Sequence, residues 1–97
     1  MRIELAEVNL NQASACLPIR SRYALLEITE AGEWRVLLYG LKPDSLVILQ
    51  DLFSAAEVGH LSLTTVEGDR TAGLVKVSRL SVGNESHAAL QGLSNLP

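Results

Sequence analysis

The sequence predicts an all-β protein: a small barrel or sandwich of about five to seven mostly antiparallel strands, with one or two short helical segments. Three observations point there. Short runs rich in Leu, Ile, Val and Thr recur along the 97 residues, separated by turns built on Gly, Asp, Asn and Pro. Two of those turns, around Gly32 and Gly68, each join a pair of such runs as a hairpin. The first hairpin, residues 22–41, carries apolar side chains in both directions, and the remaining elements are expected to be organised around it.

Length and composition set the frame. Ninety-seven residues suit a single β-rich domain spanning 1–97, with 94–97 expected to fray. A hydrophobic fraction of 47% with 20% charged residues describes an ordinary folded chain, and 4% aromatics make its core aliphatic. The net charge is −3 and the eight Lys and Arg are scattered, which excludes a basic nucleic-acid groove or a lipid-headgroup surface. A single cysteine, Cys16, rules out an internal disulfide framework and fits a reducing compartment. Charged, alternating opening residues do not read as a secretory signal, and no apolar run approaches the roughly 20 residues of a membrane helix. The expected location is cytoplasmic, with no membrane partner.

From the N-terminus, Ile3 and Leu5 alternate with Arg2, Glu4 and Ala6 as a half-buried strand. Glu7 then occupies the position of an inward apolar residue, which predicts a bulge or strand end near it. Residues 9–18 read as a polar connection closed by Pro18. A two-residue reversal on Ala31-Gly32 sets Thr29 opposite Trp34, Glu27 opposite Val36 and Leu25 opposite Leu38. The other face then carries Ala24, Leu26 and Ile28 against Arg35, Leu37 and Tyr39. Neither face is clearly the wet one, so each should be covered by a second sheet, a helix or another copy of the chain.

Pro43 marks a turn, and the run from Leu46 to Leu49, with β-branched Val47 and Ile48, favours a strand. Ser54 and Glu57 have capping-box spacing for one or two helical turns, stopped at Gly59, with a longer helix from Asp51 as the rival. A two-residue turn at Gly68-Asp69 would pair Glu67 with Arg70 and align Leu61, Leu63, Ala72 and Leu74 on one face. Asn84 or Ser86 could cap a short helix through Ala88, Ala89 and Leu90.

Catalytic groups do not assemble in this pattern. His60, His87 and Cys16 each stand without a second ligand at metal-site spacing, so no metal or other cofactor is expected. Serines are plentiful, yet none sits in a nucleophile-elbow pattern, and Cys16 would gain a base only if folding brought a histidine to it. Asp51 and Glu57 straddle the capping box, which explains Glu57 without an acid–base role. Residues 82–86 run strand-to-helix like a phosphate loop, but with one glycine and the repelling Glu85. Tyr23, Trp34 and Tyr39 near Arg20, Arg22 and Arg35 could stack bases, but intervening glutamates and opposed ring faces argue against nucleic acid.

Trp, Tyr and Arg also dominate protein–protein hot spots, and this hairpin holds most of them. The expected function is therefore a non-enzymatic interaction or assembly module, such as an accessory protein. It would form a homo-oligomer or dock a larger assembly through Arg22, Ala24, Leu26, Ile28, Arg35, Leu37 and Tyr39. The alternative is a regulatory domain binding a small molecule between the sheet and residues 49–59, through Trp34, Leu38, Leu49 and Phe53.

Overall fold

The computed structural model describes residues 1–12 and 14–96; Ala13 and Pro97 lie outside the described residues. Seven strands and one helix follow in the order β1 (Arg2–Gln12), β2 (Ala15–Pro18), β3 (Ser21–Ile28), β4 (Trp34–Leu41), α1 (Pro43–Ala55), β5 (Val58–Thr65), β6 (Arg70–Ser81) and β7 (His87–Gly92). Every pairing is antiparallel, and the sheet order β1-β3-β4-β7-β6-β5 closes on itself through β1 and β5. The fold is a six-stranded barrel, with β2 as an extra strand beside the second half of β1. Closure removes the free sheet edges a hairpin stack would otherwise expose.

Two bulges let long strands bend round the barrel. The β1–β5 register slips between Leu5 and Glu7, which keeps both Leu5 and Val8 buried and places the predicted irregularity at Ala6. On β6 the slip falls between Val77 and Arg79, where the Ser78 hydroxyl donates to the Ala89 carbonyl at 3.0 Å. The interior is almost wholly aliphatic: Leu10, Val36, Leu38, Leu49, Leu61 and Leu90 are fully buried, joined by one aromatic ring, Trp34.

The turns differ from expectation by one residue, with a large consequence. In the β3–β4 hairpin the Thr29 amide donates to the Glu33 carbonyl and Ile28 pairs with Trp34, leaving a three-residue loop, Glu30-Ala31-Gly32. Gly32 has φ of 87°, the left-handed position such a loop requires. A one-residue slip moves a whole strand's side chains to the opposite face. Leu25 therefore meets Leu37 and Leu26 meets Val36; Leu25 does not meet Leu38. The β5–β6 turn repeats the device: Thr65 closes on Asp69 round Val66-Glu67-Gly68, with Gly68 at φ 98°. Leu61 and Leu63 share their face with Thr71, Gly73 and Val75, whereas Leu74 is exposed. In both turns the threonine hydroxyl accepts the amide of the closing acid, from Glu33 at 3.1 Å and from Asp69 at 3.0 Å.

Three further elements correct the sequence expectation. Residues 46–49 belong to a helix, because Ser45, Leu49 and Leu52 recur at helical spacing and all three are buried. Pro43 sits in the first turn, where its missing N–H costs nothing, and tertiary burial outweighs the strand preference of Val47 and Ile48. Ser54 and Glu57 lie at the C-terminal end of α1, which stops with Ala56 left-handed (φ 52°) and Glu57 donating to Leu52. Ala88–Leu90 is strand, since Ala88 and Leu90 point inward and Ala89 outward. Finally, Ser94–Leu96 folds back over the barrel: the Ser94 carbonyl accepts the Trp34 indole N–H, and Leu96 packs against the core.

The barrel has two differently finished ends. α1 follows directly on β4 and closes one end, with the Ser45 hydroxyl accepting the Arg20 amide at 2.6 Å. Trp34, at the opposite end of β4, lies against Gly73 and Gly92, where an added Cβ would overlap its ring.

Candidate interaction surface

The outward side chains of β3, β4 and β7 form three rows across the strands. Glu27, Arg35 and Gln91 make one, extended by Arg2 on β1 and Lys76 on β6. The middle row is Leu25, Leu37 and Ala89. Tyr23, Tyr39 and His87 make the third. Tyr23 and Tyr39 are about two-fifths exposed, with centroids 6.3 Å apart and planes at 58°, and the His87 ring follows 6.4 Å beyond Tyr39. Such tilted, offset neighbours lie within the range of favourable ring pairing. Arg22 is exposed beside them and pairs with Glu85.

The predicted interface residues divide accordingly. Arg35, Leu37 and Tyr39 are on the outer face, and Arg22 flanks it. Ala24, Leu26 and Ile28 are not on it. They point into the barrel with Trp34, Val36 and Leu38, and Leu26 retains only 2% exposure. The longer turn is the cause. Tyr23, Leu25, Glu27, His87 and Ala89 hold the vacated places, and the Thr-x-x-Gly-acid signature at both turns was the signal that could have found the β3 members.

The expected ligand pocket is filled. Trp34, Leu38 and Leu49 are all buried in one core cluster, while Phe53 is exposed on α1. Trp34 and Leu49 belong to opposite ends of the barrel, so the four residues cannot line one cavity.

Glu27 is the charged hinge of the first row. Its Oε1 accepts from Arg35 Nε at 2.5 Å and its Oε2 from Arg2 Nε at 2.7 Å. The Arg35 hydrogen bond, aided by the charges of both arginines, holds the carboxyl below its ordinary value, although desolvation pulls the other way. Its contribution to stability is present above the unfolded carboxylate pKa and fades as pH falls through the folded one. Arg35→Gln is expected to move the Glu27 titration upward, measured from its side-chain carboxyl ¹³C shift between pH 2 and 7.

Folding does place Cys16, Asn11 and His60 in one row across β2, β1 and β5. Asn11 stands between the other two and donates its amide to His60 Nδ1 at 2.9 Å and to Ser62 Oγ at 2.7 Å. The asparagine thus stands between the imidazole and the thiol and engages the ring itself. Among the described residues, no three His, Cys, Asp or Glu cluster closely enough to hold a metal ion, and no helix is long and apolar enough to cross a membrane. Compared with known proteins, the chain matches no family model, no curated protein and no solved structure.

Proposed function

We propose that this β-barrel is a non-enzymatic cytoplasmic assembly module that pairs with a second copy of itself through the outer face of β3, β4 and β7. The supporting observation is the self-complementarity of the three rows. Leu25, Leu37 and Ala89 form an apolar line with an aromatic row on one side and a charged row on the other. A twofold axis along that line sets each leucine against its own counterpart. The same rotation lays Tyr39 over the partner's Arg35 and Tyr23 beside the partner's Glu27. Arginine on a tyrosine face is favourable by about 0.5–2 kcal/mol depending on desolvation. A phenol hydroxyl can also donate to a carboxylate. Isologous pairing of this sort is the usual route to a closed dimer.

Leu37→Arg and Tyr39→Arg are expected to give folded monomers by sedimentation equilibrium, because like charges would face each other across the axis. Leu74→Arg, at an exposed strand position on β6 outside this face, serves as the control and should keep the wild-type mass. Retention of the wild-type mass by Leu37→Arg removes this face from the assembly.

A further inference from the structure

The end of the barrel that α1 does not close holds a cavity of about 540 Å³. Its apolar wall is supplied by Ile3, Leu26, Ile28 and Leu96, from β1, β3 and the returning C-terminal segment. Thr71, the first inward-facing residue of β6, also lines it. The Thr71 hydroxyl oxygen is buried without a hydrogen-bond partner, and it is the sole such side-chain atom among the described residues. The other threonine lining this end, Thr65, is differently served, since its hydroxyl accepts the Asp69 amide. A buried hydroxyl without a partner is destabilising, so a group that satisfies it gains that free energy on arrival.

We infer that this mouth is a binding site for a small, uncharged, largely apolar molecule carrying one hydrogen-bonding group, which meets the Thr71 hydroxyl once rotation about χ1 turns that buried oxygen into the cavity. The apolar wall calls for hydrocarbon or aromatic body, the composition usual for pockets at barrel mouths. Charge on the ligand is disfavoured because the rim is mixed in sign, with Arg2 and Arg70 interspersed among Glu4, Glu67 and Asp69. The site is separate from the outer face of β3, β4 and β7, and its occupancy does not depend on the dimer.

Three probes of one size decide it: 4-propylphenol, propylbenzene and 4-propylbenzoate, titrated while the methyl signals of Ile3, Ile28, Thr71 and Leu96 are followed by NMR. The phenol is expected to saturate with shifts concentrated on those methyls. Propylbenzene and the benzoate should each bind about tenfold more weakly, the loss of one net hydrogen bond or the cost of an unbalanced charge. Thr71→Val, which keeps the side-chain shape, should cost the phenol about tenfold and leave propylbenzene unchanged, with a Tm no lower than wild type. Leu96→Trp, filling the mouth from the tail, should abolish binding of all three. Absence of saturation, shifts centred elsewhere, or equal affinity of the phenol for wild type and Thr71→Val would overturn the assignment.

Discussion

Leu26→Arg is expected to unfold the chain, whereas the same change at the adjacent Leu25 leaves it folded. The two leucines are indistinguishable in composition and sequence context. Their fates differ because the three-residue loop at Glu30-Ala31-Gly32 points Leu26 at Val36 inside the barrel and Leu25 at Leu37 outside. An arginine in place of Leu26 would be an unpaired charge in an aliphatic interior. Its desolvation is worth several kcal/mol, a large share of the ~5–15 kcal/mol that holds a typical domain together. At Leu25 the new guanidinium reaches water and the Glu4 carboxylate in the neighbouring strand. Leu38→Arg and Leu37→Arg repeat the contrast on β4, the first unfolding and the second tolerated. Circular dichroism and urea titration of the four variants read the result. A two-residue turn would instead put Leu26 and Leu37 on one face, giving the opposite pairing of outcomes.

The second large effect is expected at Trp34. Trp34→Ala should lower stability by about 3–5 kcal/mol, since it empties the largest fully buried side chain and frees the Ser94 carbonyl. The indole lies against Gly73 and Gly92 on two neighbouring strands, so the missing side chains there belong to its packing. Adding a methyl by Gly92→Ala should cost about 1–3 kcal/mol through overpacking. Combined with Trp34→Leu, the Gly92→Ala penalty should shrink, because the added methyl then finds room. Equilibrium urea unfolding of the single and double variants gives the coupling. Additive penalties would mean that the glycines are required by their backbones and not by the ring.

Much of this fold was legible in the sequence, and its limits have physical causes. Alternation and turn composition gave the all-β class, the two hairpins and the irregularity at Ala6. Two central errors came from counting a turn. Ala31-Gly32 and Gly68-Asp69 have the composition of two-residue loops, but a threonine hydroxyl accepting the amide four residues on stabilises the longer closure. That single residue exchanged Ala24, Leu26 and Ile28 for Tyr23, Leu25 and Glu27 on the outer face. The run from Leu46 to Leu49 was too short for its period to show, and only the burial of Ser45, Leu49 and Leu52 against the barrel selects the helix. Ala88–Leu90 fits either period over three residues, so its pairing with β4 and β6 decides it. Row partners such as His87 and Ala89, separated from the hairpin they join by α1, β5 and β6, depend on closure of the barrel.

Self-pairing is tested most directly by the solution mass of the unaltered chain, measured by sedimentation equilibrium over a micromolar concentration series. The expected result is a species of twice 10.5 kDa that dissociates on dilution. A single species at 10.5 kDa across the whole series would contradict it, leaving the half-buried Leu25 and Leu37 and the exposed tyrosines as ordinary surface.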